Sequence, residues 1–281
     1  MSNSKFGLRT RKGIIRPFVE GAQAILFDAD ALAYFTANTA ITSTADKNAI
    51  NTFFLGLKSD GIYTKMKAMY LPIWGSDATC KFNLVAPNGS YDLTFRTGWT
   101  FSSGGMTPSN TYAETSLVAQ SIFPTTNIHL STYSRTQVIN NTAFRFEIGA
   151  FDGTNFTGMS QQYDNLGKFF GAGPNNSSYQ IIVPGTVSSA ITTGLQVGNR
   201  LGNVMKVFQN GTELSNKNVT NSSLSTNSFF IGAYKNLSGG YADYSNRQLA
   251  FVSIGDGLTD TQATNLNNRV NTLMTYFGIN V

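Results

Sequence analysis

"VMKVFQNGTEL", residues 204–214, sets an Asn-Gly pair between two runs rich in apolar residues. Asn and Gly tolerate the positive φ that a type I′ turn needs, so the stretch predicts a two-residue β-hairpin with strands at 204–209 and 212–214. The same texture extends on both sides. From about 78 to 254, short apolar runs alternate with turn residues. "CKFNLV" and "YDLTFRT" flank Pro87-Asn88-Gly89, and "IHLSTYSRT", "AFRFEIGA", "YQIIV", "LQVGN", "SFFIGAY" and "RQLAFVSIG" follow. Strand-length runs at such spacing are the sign of a sandwich or barrel. In "AFRFEIGA", strict alternation places Phe144, Phe146 and Ile148 on one face and Arg145 and Glu147 on the other.

Helical patterns bracket this β region. "DADALAYFTANT" opens with two acids, which favour a helix N-terminus. In "TADKNAINTFFLGLKSDG", Ala45, Ala49, Ile50, Phe53, Phe54 and Leu57 recur at three- and four-residue spacing, with Thr44 as cap and Gly61 beyond the end. "IYTKMKAMYLPIW" continues the pattern through Ile62, Met66, Met69 and Tyr70 until Pro72, so residues 28–70 read as helical. At the other end, "LTDTQATNLNNRVNTLMTYFG" puts Leu266, Val270, Leu273 and Phe277 on one face. Thr259 or Asp260 caps it and Gly278 ends it.

Composition narrows the setting. Charged residues make up 12% of the 281, about half the usual share of roughly 25%. Neutral polar residues fill the gap, which suits a turn-rich β protein working outside a cell or on a particle. The net charge of +5 is segregated: Lys5, Arg9, Arg11, Lys12 and Arg16 all precede the first acid, Glu20, and the other 15 basic residues equal the 15 acids. Residues 1–24 therefore form a basic arm, with Phe6, Leu8, Ile14, Ile15, Phe18 and Val19 as apolar points. It is expected to be extended and to order against a partner. The neutral body argues against nucleic-acid wrapping. A lone Cys80 excludes an intrachain disulfide. No leader-like apolar core and no membrane-length apolar run is visible, so neither a signal peptide nor a membrane span is expected.

The order of "VMKVFQNGTEL", "SFFIGAY" and "RQLAFVSIGDGLTDTQATNLNNRV" resembles the C-terminal half of concanavalin A-like lectin/glucanase domains, the laminin-G-like jelly rolls. Residues 28–75, from "DADALAYF" to "LPIWG", look like the helical module fused to such domains in virion proteins of tailed bacteriophages. "IHLSTYSRT" and "FVSIGDGLTD" look like recurrent segments of the same proteins. The resemblance covers roughly residues 25–281. It implies a two-sheet antiparallel jelly-roll sandwich, mainly β, divided into the arm 1–24, a helical module 25–75, and a jelly roll 76–281 with a closing helix at 259–277.

Enzymatic chemistry finds little footing. Related glucanases carry a Glu-x-Asp-x-x-Glu run, which is absent here. The only glutamates are Glu20, Glu114, Glu147 and Glu213. Glu147 is the best single candidate because it sits on a strand, but no second carboxylate shares its face, as glycoside hydrolysis requires. His129 is the only histidine. It has no Gly-x-Ser-x-Gly elbow, and with one cysteine it cannot build a zinc site. "FDGTNF" (Asp152, Asn155) and "YADYSN" (Asp243, Asn246) offer oxygen ligands for calcium, although these residues also simply make turns. "GAGPNN" lacks the Lys-Ser/Thr of a phosphate loop.

No enzyme activity, cofactor or metal is therefore expected. The reading is a structural protein of a bacteriophage virion, head or tail. Its arm residues Lys5, Arg9, Arg11, Lys12 and Arg16 anchor it to other virion proteins, in repeated copies or as a homo-oligomer. The alternative is a carbohydrate-binding module that adsorbs the particle to host-surface glycans. Trp99, Tyr112, Tyr133, Arg135, Tyr241 and Tyr244 are the candidate contacts, because sugars pack on aromatic faces beside hydrogen-bonding groups. A polysaccharide depolymerase ranks below both.

Overall fold

Asn210 and Gly211 adopt φ of 50° and 80°, the left-handed pair that a type I′ turn demands. The computed structural model of the chain describes residues 26–123, 126–137, 144–162, 167–183, 192–235 and 240–281. The basic arm lies outside the described residues. The helices are α1 Ala29–Ala37, α2 Thr44–Ser59, α3 Asp77–Cys80, α4 Ala119–Ile122 and α5 Asp260–Tyr276. The strands are β1 Met66–Tyr70, β2 Thr94–Phe95, β3 Trp99–Ser102, β4 Gly105–Pro108, β5 Ala113–Val118, β6 Ile128–Ser134, β7 Ile148–Phe151, β8 Asn155–Ser160 and β9 Lys168–Pro174. They continue as β10 Gln180–Val183, β11 Gly194–Leu201, β12 Val204–Gln209, β13 Thr212–Asn218, β14 Ser228–Ile231, β15 Tyr234–Lys235, β16 Tyr241–Ala242 and β17 Leu249–Gly255.

Two antiparallel sheets form the sandwich. The first runs β13-β12-β11-β6-β17-β4-β3, with β1 paired along the free part of β17. The second runs β10-β9-β8-β7-β14-β5-β2. Between them lies one apolar core: Leu130, Val207, Val252 and Ile254 from the first sheet meet Ile148, Met159, Phe170 and Phe229 from the second. The fold is thus the expected mainly-β jelly-roll sandwich with flanking helices.

A second core covers the other face of the first sheet. There α1, α2 and α5 pack Phe35, Phe53, Phe54, Leu266 and Val270 against Tyr133, Val197, Phe208 and Phe251. This core draws on both sides of 75/76, with Leu71 and Ile73 before it and Phe82 and Leu84 after it. The helix ends follow local chemistry. Asp28 caps α1, and Lys58 reaches back to it at 2.7 Å. Ser43, one residue before the expected Thr44, caps α2. Thr259 and Gln262 form a reciprocal capping box on α5.

Three local expectations are corrected. Residues 66–70 form β1, not a helix: Met66 and Met69 enter the helix-side core, and Ala68 and Tyr70 enter the inter-sheet core. A run buried on both faces gives the same apolar pattern as a buried helix. In "CKFNLV", Cys80 ends α3 and the rest is a loop organised by buried Asn83, whose side chain bonds Met69 N, Val85 N and the Lys67 and Ser90 carbonyls. In "AFRFEIGA" the alternation breaks at its start, so Phe146 leaves the inter-sheet core while Ile148 enters it.

Candidate functional site

The outer face of the second sheet, opposite the helices, gathers aromatic residues. Register aligns Gly149, Gly158 and Gly171 side by side on β7, β8 and β9. A Cβ at Gly158 would lie 2.8 Å from the Phe156 ring, and one at Gly149 would lie 2.6 Å from Tyr234 Cβ. These glycines make a floor on which rings lie. Phe146, Phe151, Phe156 and Phe169 form a cluster there, separate from both main cores, with Tyr234 packed against it. Phe146 lies 5.0 Å from Phe156 and 5.3 Å from Tyr234, centre to centre.

The short β15–β16 hairpin crosses this face. On one side it contributes Tyr234 to the phenylalanine cluster. On the other it contributes Tyr241, whose ring stacks on Tyr112 with centres 3.7 Å apart and planes 21° apart. Phe230 stands edge-on to both, at 5.4 Å from Tyr112 and 5.1 Å from Tyr241. The Arg96 guanidinium lies 5.8 Å from the Tyr112 ring centre and 3.7 Å from Glu114. Burial and the neighbouring Tyr112 hydroxyl push Tyr241 up to about 12, so it stays a neutral phenol at any physiological pH. The result is a two-ring slab flanked by a cation and a carboxylate, both partly exposed.

The sequence-derived contacts thus separate. Tyr112 and Tyr241 come together. Tyr244 is half-buried beside the phenylalanine cluster, and its carbonyl accepts from Arg145 Nη1 at 2.8 Å. Trp99 packs at the end of the inter-sheet core, 5.4 Å from Phe95, over Gly232. Tyr133 is a core residue, 1% exposed, with no ring face to offer a ligand. Its hydroxyl accepts from Val281 N, and Arg135 Nε donates to the Ile279 carbonyl. Both therefore hold the last residues onto the first sheet. Sequence reading missed Arg96, Glu114 and Phe230. They become neighbours only through the β2-β5-β14 register, which no local pattern reveals.

The two residues weighed for catalysis are both buried. Glu147 is fully buried rather than projecting from a solvent face. Its carboxylate accepts from Arg247 Nη1 at 2.8 Å, Ser245 Oγ at 2.9 Å and Gln161 N at 2.6 Å. His129 is also fully buried, and desolvation lowers it to about 4. Its Nε2 lies 3.1 Å from Ser253 Oγ, but Nδ1 faces the Asp256 backbone carbonyl at 2.7 Å, not a carboxylate. Among the described residues no group of three or more His, Cys, Asp or Glu could hold a metal. The Asp152 carboxylate, one of the calcium candidates, accepts from Thr154 N, Asn155 N and Thr226 N. The first two bonds are turn chemistry, and the third ties this turn to the segment before β14. No described helix is long and apolar enough to cross a membrane.

The two antiparallel sheets define a jelly-roll sandwich. The likeness to solved structures bears on the fold alone. The binding domain of botulinum neurotoxin serotype D matches with a TM-score of 0.51 at 10% identity, over 74% of this chain and 52% of the toxin chain. Domain 4 of AbnA, a GH43 extracellular arabinanase from Geobacillus stearothermophilus, in complex with arabinotriose, matches at 0.46 and 16% identity, over 72% of this chain and 98% of that one. The Ruminococcus gnavus IT-sialidase CBM40 bound to α2,6 sialyllactose matches at 0.39 and 12% identity, over 50% and 82%. No family model and no curated protein matches the chain in sequence.

Proposed function

We propose that the chain is a carbohydrate-binding module whose contact surface is the Tyr112–Tyr241 slab, with Arg96 and Glu114 as its hydrogen-bonding flank. The observation that carries this reading is the stacked pair itself, at 3.7 Å, on the outer face of the sheet. The C–H face of a sugar packs on aromatic rings, and its hydroxyls need both donors and acceptors nearby. A guanidinium and a carboxylate supply both. Fold analogy alone would not assign a ligand. A glycan array probed with the chain should give hits that Tyr112→Ala and Tyr241→Ala remove together. Hits that survive both substitutions would move the site elsewhere, and an empty array would end the reading.

Binding proceeds here without hydrolysis. Glu147 is spent on Arg247, and a glycosidase needs two carboxylates flanking the bond. Incubation with bacterial polysaccharide should release no reducing ends. Placement on a virion, as a concanavalin A-like component held in repeated copies by Lys5, Arg9, Arg11, Lys12 and Arg16, is the finer part of the proposal. Charge segregation and the resemblance of residues 25–281 support it. Removing residues 1–24 should abolish incorporation into particles and leave glycan binding intact.

A further inference from the structure

The slab occupies only one side of the β15–β16 hairpin. On the other side is a cavity of about 180 Å³, lined by Phe146, Phe156 and Tyr234 within and by Asn175, Gln180 and Asp243 among its polar groups. A dry engineered cavity of roughly 150 Å³ accepts one benzene, so this one suits a single small group rather than an extended chain. Its walls are unusual for an outer sheet face. Phe146, Phe156 and Phe169 are all under a tenth exposed, although they belong to neither main core.

We infer that this cup is a second subsite of the same face and that it takes the methyl group of a 6-deoxy or N-acetyl sugar unit next to the one on the slab. The inference rests on the carbohydrate-binding reading above. Three observations carry it. First, the cup and the slab share one hairpin: Tyr234 and Asp243 line the cup, and Tyr241, two residues before Asp243, builds the slab. Neighbouring sugar units can therefore meet neighbouring sites. Second, Phe146, Phe151 and Phe156 are packed against one another at 5.0–6.0 Å, so they offer the cup ring edges more than faces, while Phe144, 40% exposed, also lines it. A methyl group fits between those buried edges. Third, the polar groups are placed for the rest of the unit. Gln180 Nε2 donates to Asn175 Oδ1 at 2.9 Å. That bond fixes the pair and leaves the Asn175 amide N–H and the Gln180 side-chain oxygen to face a hydroxyl or amide. Asp243 is steadied by the Tyr234 hydroxyl.

Matched sugars test this. L-Fucose differs from L-galactose, and L-rhamnose from L-mannose, only by loss of the 6-hydroxyl. N-acetylglucosamine differs from glucose by its acetamido group. Titrations of the chain followed by saturation-transfer NMR should favour the methyl-bearing member of at least one pair by roughly tenfold, the discrimination that one methylene-sized group gains in an apolar pocket. The saturated protons should include that methyl group. The fucose and rhamnose pairs against the acetamido pair tell the two methyl sources apart. Asn175 is exposed, so Asn175→Trp closes the rim without touching a core. It should erase the preference while sugars lacking the methyl bind as before. Gln180→Ala is the second variant and should weaken only the methyl-bearing sugar. Equal affinity within every pair, or a preference that survives both variants, overturns the subsite alone. Absence of any sugar binding by the unmodified chain overturns the carbohydrate reading together with the subsite.

Discussion

Tyr112 and Tyr241 stack at 3.7 Å although one precedes β5 and the other lies in the β15–β16 hairpin. Each is only half-buried, and Phe230 beneath them is 3% exposed. The rings therefore extend the sheet surface outward rather than fill a core. Tyr241→Ala should cost about 1 kcal/mol of stability, the scale of one aromatic pair. The same substitution should lower glycan affinity at least roughly tenfold, as truncation of a central aromatic contact does. Tyr241→Phe should keep most of the affinity. Melting curves beside titrations with an array hit measure both quantities. A binding loss that scales with the loss of stability would make the pair structural.

The second prediction concerns the sandwich interior. Glu147 and Arg247 form an ion pair at 2.8 Å with both side chains fully buried. Taking one charge away strands the other in low dielectric, so Arg247→Met should destabilise by roughly 3–5 kcal/mol. Glu147→Leu combined with Arg247→Met should cost clearly less than the two single changes together. Urea unfolding of the four proteins measures the coupling. Strict additivity would mean that Ser245 and the Gln161 backbone, not Arg247, satisfy the carboxylate.

Much of this architecture was legible in the chain. Asn210-Gly211, the Thr259 cap and the Leu266–Val270–Leu273 face each act through neighbours three or four residues away, so local chemistry reveals them. β1 was hidden because burial on both faces erases the period of two that marks a strand. Glu147 was misplaced for a different reason. Its inward turn depends on Arg247, which is remote in sequence, and on the break in alternation before Ile148. The slab was half legible. Aromatic type singled out Tyr112 and Tyr241, but also Tyr133, which the closing residues claim. Arg96, Glu114 and the glycine floor are products of register, and register is a long-range quantity.

The Asn210-Gly211 hairpin has its own test. Gly211 holds φ of 80°, and a Cβ there would come within 3.1 Å of Asn267 Nδ2. Asn210 Oδ1 accepts from Leu195 N at 3.0 Å, which ties the turn to β11. Gly211→Ala should cost about 1–2 kcal/mol, from left-handed backbone and the close approach to α5. Asn210→Gly should preserve the turn and lose only the bonds that Asn210 Oδ1 accepts from Leu195 N and Gln209 Nε2. A Gly211→Ala protein with an unchanged denaturation midpoint would show that the turn is not held in this conformation.

The last prediction is a pH dependence. His129 Nδ1 faces the Asp256 carbonyl at 2.7 Å, and a carbonyl only accepts, so Nδ1 carries the proton. Nε2 then accepts from Ser253 Oγ at 3.1 Å, and Ser131 Oγ completes the chain at 2.6 Å from Ser253. A second proton would have to sit on Nε2, fully buried against that hydroxyl. Burial therefore lowers the folded value to about 4, against about 6.5 in the unfolded chain. Above the unfolded value neither state binds the proton, and this site costs nothing. Between the two values only the unfolded chain is protonated, so stability falls as the pH drops from about 6.5 to about 4, by about 3 kcal/mol in all. Below that range both states are protonated and the site adds no further slope. The Asp256 carboxylate, paired with Lys67 at 2.9 Å, favours the charged imidazole but does not outweigh burial. His129→Gln should lower stability at neutral pH and flatten this part of the profile. Denaturation midpoints of both proteins at half-unit steps from pH 4 to 7 decide it, because an unchanged slope in His129→Gln would assign the acid sensitivity to the carboxylates instead.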